Sequence, residues 1–210
     1  MKNDPKKITR YMAFERANHW LSAILFILAA LSGLALFQPA FVPLSQLFGG
    51  GTWTRILHPF IGVAMLVSFG VMAVSYWKPN IMTPADWEWL RRVPELAGGD
   101  DRNMPEAGKF NGGQKMLFWL LVICMALLIL SGIVMWRAYF SFIFPLWLIA
   151  LASVIHAIAA TIMIALLIFH IYAAIWTRES IDAMMHGQVR RAWAKQHHPA
   201  WYREMIGGEK

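Results

Sequence analysis

The stretch PLWLIALASVIHAIAATIMIALLIFHIYAAIW, residues 145–176, is a long apolar run that holds two histidines, His156 and His170. Fourteen residues separate them. In a helix at roughly 100° per residue that falls about 40° short of four whole turns, so both rings project from nearly one face. At about 1.5 Å per residue they lie roughly 21 Å apart along the axis. Such a spacing suits two metal centres stacked across a hydrocarbon core of about 30 Å. Ionisable side chains at membrane depth are costly and mark function.

The rest of the composition agrees with a membrane setting. Of 210 residues, 58% are hydrophobic, and the mean hydropathy is +0.48. That excludes an ordinary soluble domain and indicates a polytopic membrane protein. The one cysteine, Cys124, lies inside an apolar run. A disulfide framework, a Cys-ligated iron–sulfur cluster and a Cys-type zinc site are therefore excluded, and metal chemistry must use histidine or carboxylate. The net charge of +7 reports topology rather than nucleic-acid binding, because the basic residues flank the apolar runs. The basic segment before the first run imitates a signal peptide. The run is long enough to span, no small-x-small cleavage site follows it, and cleavage would orphan His19.

Four segments meet the requirement of about 20 apolar residues: about 17–37, 56–77, 114–136 and 146–176. Backbone groups in lipid must pair within their own segment, so these are helices. The expected fold is an all-α integral membrane bundle forming one domain, 1–210. Segment 1–16 precedes the spans, loop 78–113 divides them and an amphipathic tail, 177–210, follows. Lys and Arg number five before the first span, one in the first loop, six in the second through Lys115, one in the third and six in the tail. By the positive-inside rule both termini and loop 78–113 are cytoplasmic. Within that loop Ala85–Leu90 reads as a short interfacial helix with Trp87 and Trp89 at headgroup depth. The tail reads as a basic surface helix, or else as a docking surface for a partner. No internal repeat stands out.

Helix direction then gives each histidine a depth. His19 and His170 fall at the cytoplasmic level, His58 and His156 at the outer level. Imidazole suits iron, copper and zinc. Zinc usually takes four ligands, and neither level offers a third. Haem needs two axial ligands, and bis-imidazole ligation favours electron transfer over oxygen binding. Small residues near the ligands (Ser32-Gly33, Gly62, Ser131-Gly132, Ala159-Ala160) would make room for a macrocycle, or would simply allow close helix packing. His186, His197 and His198 lie outside the spans and read as surface residues, with His197-His198 placed for proton delivery. Arg16, Lys115 and Arg178 inside, and Arg55 and Arg137 outside, are candidates for haem propionates, although topology alone accounts for them. Asn111 and Gln114, with Gly112 and Gly113 between them, could hold quinone carbonyls beside His170. The same residues also read as a plain helix start, with Asn111 as cap and Gln114 at the third helical position, and on residues alone that reading leads.

Several stretches resemble the cytochrome b gamma subunit of membrane-bound respiratory formate dehydrogenase: Arg10-Tyr11 with Glu15-Arg16 and Asn18-His19-Trp20, Arg55 to Phe60, Asn111 with Gly113-Gln114-Lys115, His170 to Ala174, and Ala192 to Glu204. The similarity covers nearly the whole chain. It implies two b-type haems, ligated by His19 with His170 and by His58 with His156. It implies a quinone site (menaquinone or ubiquinone) made by Asn111, Gly113, Gln114 and His170. It also implies an iron–sulfur beta subunit that delivers electrons and an alpha subunit with a molybdenum or tungsten pterin that oxidises formate. The chain would then be the electron-transfer subunit of a formate:quinone oxidoreductase in the bacterial inner membrane, in a heterotrimer open to higher oligomerisation. Gly112 stands where that family usually has an aromatic residue. Another respiratory cytochrome b anchor, such as that of a hydrogenase, would show similar haem pairs. A haem-free anchor or a metal transporter is the non-redox alternative, and a transporter would want carboxylates within the spans, which these lack.

Overall fold

The computed structural model describes residues 6–100 and 102–207; the expected topogenic Lys2 lies outside them. The first long helix, α1, runs Ala13–Phe37. A 3-10 segment, Pro39–Phe48, leads to α2, Gly51–Tyr76. Two short helices follow, α3 (Pro84–Arg91) and α4 (Val93–Ala97), and then α5, Gly112–Met135, and α6, Leu146–Trp176. The chain ends with α7 (Ser180–His186), α8 (Arg191–His197) and α9 (Pro199–Gly207). Strand β1, Lys7–Thr9, pairs antiparallel with β2, Gln188–Arg190. Among the described residues four helices, α1, α2, α5 and α6, are long and apolar enough to cross a membrane.

The four expected spans are all present, and α6 matches its expected bounds. Three starts, those of α1, α2 and α5, come earlier than hydropathy placed them, because a polar first turn is still helical. The Glu15 carboxylate accepts from the Met12 backbone N–H at 2.6 Å and secures the first turn of α1. Ahead of α2, Gly49 adopts φ +86 to close the 3-10 segment. Thr54 then donates its hydroxyl to the Gly50 carbonyl at 2.9 Å.

The chain forms two compact units. One comprises residues 17–74 and 121–169. Its core is Met65 and Phe69 of α2, Cys124 and Met125 of α5 and Met163 of α6, with Leu25, Phe26 and Ala29 of α1 packed against them. The spans touch through these side chains. Apolar residues such as Ile24, Ile27, Val67 and Leu130 point outward, as lipid-facing positions require. A polar knot ties α1 to α2: Asn18 Nδ2 donates to the Ser68 carbonyl at 2.9 Å, Ser68 Oγ donates to Asn18 Oδ1 at 2.9 Å, and the Ser22 and Ser68 hydroxyls lie 2.7 Å apart.

The other unit gathers the described residues up to 16, then 75–120 and 170 onward. Its core holds Ile8, Ala183, Val189, Trp193, Ala194 and Trp201. Where a single surface helix was expected, the tail is three helices and a strand, and its apolar face is covered within its own unit. Gly187 causes the first break. It ends α7 at φ +84, and a Cβ there would lie 2.6 Å from the Tyr11 carbonyl oxygen. Its own carbonyl accepts from Arg10 and Tyr11 N–H at 2.8 and 3.2 Å. Glu179 takes the left-handed conformation, φ 68, and its carboxylate binds the Arg190 backbone and guanidinium.

His198 is not a surface residue: it is 3% exposed. Its Nδ1 lies 2.8 Å from the Gly108 carbonyl and its Nε2 3.2 Å from Arg10 Nη2. A carbonyl can only accept and a guanidinium can only donate, so the ring is neutral with its proton on Nδ1. Burial, then the neighbouring Arg10 charge, pushes its pKa down to about 3. The ring is thus held between two partners of its own unit instead of lying at the surface as expected. Arg10 is held between the Trp193 and Trp201 rings, 5.3 and 5.0 Å from their centroids, and donates to the Lys109 carbonyl at 2.7 Å.

Candidate functional site

His58 of α2 and His156 of α6 face each other, with ring centroids 6.2 Å apart and planes inclined by 71°. Two imidazole nitrogens on one metal, each at about 2.0 Å, place ring centroids roughly 6 Å apart, so this pair fits one shared metal between axial ligands. The Nδ1 of His58 lies 2.8 Å from Ser32 Oγ, and that of His156 lies 2.9 Å from Ser131 Oγ. Each ring also rests on the glycine after its serine. A Cβ at Gly33 would lie 3.2 Å from His58 Cε1, and one at Gly132 would lie 3.6 Å from His156 Cε1. The Ser-Gly pairs thus seat imidazole rings. Among the described residues no group of three or more His, Cys, Asp and Glu could hold a bare metal ion. A planar macrocycle that supplies its own equatorial nitrogens is the group these residues fit.

His19 lies on α1, thirteen residues before Ser32 and so about 20 Å along the axis. It follows Asn18, whose bonds to Ser68 set the rotation of this part of α1. Its ring meets Trp20 edge-on at 5.5 Å. His170, half-buried on α6, belongs to the other unit.

Asn111 and Gln114 form a reciprocal cap at the start of α5. The Asn111 backbone N–H donates to Gln114 Oε1 at 3.0 Å, and the Gln114 N–H donates to Asn111 Oδ1 at 2.9 Å. The helix-start reading of this segment is therefore correct. It engages both side-chain oxygens and leaves both amide NH2 groups to donate elsewhere. Gly113 and Gly112 lie under Trp89 of α3. A Cβ at Gly113 would lie 2.9 Å from Trp89 Cζ3, and one at Gly112 would lie 2.5 Å from the Asp86 carbonyl oxygen. An aromatic residue at 112 could not fit beneath α3, and here Trp89 supplies the aromatic cover.

The expected interfacial helix is α3, capped by Thr83 and Asp86 in a capping box. It is fastened to α5 by an ion pair that sequence reasoning did not anticipate. Lys115 Nζ lies 2.7 Å from Asp86 Oδ2 and 3.1 Å from the Ile81 carbonyl. Burial alone would raise the Asp86 carboxyl, but hydrogen bonds from Lys115 and Thr83 outweigh it and hold it below its usual range. Lys115 is thereby engaged with α3. Arg16 Nη1 likewise donates to the Met185 carbonyl.

One repeat that the sequence reading missed was open to view. Leu-Ser-Gly occurs at 31–33 and again at 130–132, and each copy seats a histidine of the following span.

Comparison with known proteins now bears on these residues. Residues 10–187 match the family described as prokaryotic cytochrome b561. The chain is 43% identical over 198 residues to the formate dehydrogenase cytochrome b556(fdo) subunit of Escherichia coli K12, covering 94% of this chain and 93% of that one. It is 40% identical over 204 residues to the cytochrome b556(Fdn) subunit of the nitrate-inducible formate dehydrogenase of the same strain, covering 97% and 94%. With the formate dehydrogenase cytochrome b556 subunit of Haemophilus influenzae Rd it shares 38% identity over 200 residues, covering 95% and 84%.

Proposed function

We propose a function from one premise: the chain belongs to the prokaryotic cytochrome b561 family. It is the membrane-anchor cytochrome b subunit of a formate dehydrogenase, an electron-transfer component of an oxidoreductase complex. Formate itself is oxidised on another subunit. Our finer reading is that the chain binds two b-type haems in the inner membrane of a bacterium. His58 and His156 hold one near the outer surface, and His19 and His170 hold the other near the cytoplasm. When bound, each haem would supply reversible one-electron exchange, held by its pair of imidazoles. The observation that carries this reading is the facing His58 and His156 pair at a 6.2 Å centroid separation.

The remaining roles fall to this chain's own side chains. Asn111 and Gln114 keep their amide N–H groups for the carbonyl oxygens of a quinone, while their oxygens stay in the helix cap. Gly113 brings the backbone close, and His170 lies on the same side by helix direction. Quinone reduction takes two electrons and two protons, and the protons enter from the cytoplasm. An iron–sulfur subunit docks at the outer surface and delivers the electrons, which it receives from a molybdenum or tungsten pterin subunit.

A reduced-minus-oxidised spectrum of the purified complex, with pyridine haemochrome quantification per copy of this chain, tests the reading. Two b haems are expected. His58→Ala and His156→Ala should each remove one and the same haem, and His19→Ala and His170→Ala the other. Crossed losses would refute the pairing, and a haem-free preparation that retains other cofactors would refute the assignment.

A further inference from the structure

Ser32 and Ser131 make the same three contacts, and those contacts decide where a proton sits. Ser32 Oγ lies 2.7 Å from the Leu28 carbonyl and 3.1 Å from that of Ala29. Ser131 Oγ lies 2.6 Å from the Leu127 carbonyl and 3.2 Å from that of Leu128. A serine has one hydroxyl hydrogen, and carbonyls only accept. That hydrogen therefore goes back to the serine's own helix, as Ser and Thr in apolar helices commonly do. The remaining Oγ lone pair faces Nδ1 of His58 or His156. The ring must donate there.

We infer that Ser32 and Ser131 are positioning residues that lock His58 and His156 in the Nδ1–H tautomer, so that each Nε2 lone pair is free for iron and made more basic by the bond behind it. This deepens the two-haem reading and rests on it. A neutral imidazole protonated on Nδ1 carries its lone pair on Nε2, and a hydrogen bond from the other ring nitrogen raises ligand basicity.

The seat is built twice. The serine-to-histidine separations are 26 and 25 residues. In both copies the glycine after the serine leaves room for Cε1. The pair α1–α2 therefore repeats as α5–α6 for this level alone. Carried through the repeat, His19 falls on Phe118 and His170 on Met72, so no counterpart of the other two ligands exists. The serines accordingly tune the His58/His156 haem and leave the His19/His170 haem untouched.

The test is a redox titration of haem absorbance in the purified complex, with haem counted by pyridine haemochrome, for Ser32→Ala, Ser131→Ala, the double variant and Ser131→Thr. A more basic axial ligand favours ferric iron, so each alanine should raise the midpoint potential of the haem that His58→Ala removes. About a tenfold loss of ferric preference is expected, which is about 59 mV for one electron. The double variant should shift further, Ser131→Thr should return toward wild type, and the other haem should not move. Loss of the His58/His156 haem alone would also support the inference, since a chain that keeps its other haem is folded. Two haems with unmoved potentials in both alanine variants would overturn this inference alone. A wild-type complex without haem would overturn it together with the reading beneath it.

Discussion

Acid should loosen the tail of this protein before neutral pH affects anything else in that unit, and His198 sets the size of the effect. In the folded chain the ring donates to Gly108 and accepts from Arg10, so a second proton would set N–H against guanidinium. Its pKa is about 3 against an ordinary 6.5. The folded value lies below the unfolded one, so the contribution is fully present above about pH 6.5 and is lost as pH falls toward 3. At pH 5 the unfolded ring is protonated and the folded one is not. The gap of about 1.5 units, at 1.36 kcal/mol each, costs roughly 2 kcal/mol. The other charges facing the ring do not cancel this. Arg10 and His197 both oppose added positive charge on the ring, and Glu15 lies against Lys109 at 3.9 Å. Lys109 is itself lowered, chiefly by burial, with Glu15 opposing and Arg10 adding to the shift. Hydrogen exchange of residues 187–207 in the intact complex at pH 7.5 and pH 5 measures the change. Opening of that segment should become about 30-fold more frequent at pH 5. His198→Gln, which can keep a donor and an acceptor, should flatten the response. Equal protection of this segment at both pH values would refute the assigned tautomer and the burial argument.

Three further outcomes follow from the same contacts. Asp86→Asn leaves the Lys115 ammonium buried without its carboxylate. Thermal unfolding in detergent should report a loss of about 2–3 kcal/mol, at the low end for a broken buried pair because both side chains keep some exposure. Asn111→Ala removes the acceptor for the Gln114 N–H and should cost about 1 kcal/mol. It should also slow quinone reduction while both haems remain; unchanged turnover would leave this segment a helix cap and nothing more. Gly33→Ala and Gly132→Ala should differ. Alanine gains roughly 0.5–1 kcal/mol over glycine in a helix. Its methyl is tight against His58 at 3.2 Å but in ordinary contact with His156 at 3.6 Å. Only Gly33→Ala should alter the haem spectrum, and the thermal midpoint should favour Gly132→Ala.

The amino-acid sequence by itself determined the membrane class and the four spans, and it is the source of the proposed span directions and histidine depths. Those follow from run length and charge placement, which act over single segments and need no partner. The helix cap at Asn111 and Gln114 was legible for the same reason, since both partners lie within one turn. What only the tertiary structure decided were contacts between segments far apart in the chain. Ser32 and Ser131 looked like small residues that open space, and became hydrogen-bond acceptors only once α2 and α6 brought rings against them. His198 looked like a surface histidine because it lies outside the spans. It is buried because Arg10 and Gly108, 188 and 90 residues away, close over it. The tail read as one amphipathic helix because periodicity records an apolar face without recording what covers it. Gly187, by its left-handed φ and its close approach to Tyr11, broke that helix and turned the chain back onto β1. Lys115 read as a topology signal, and only the packing of α3 on α5 turned it into half of an ion pair.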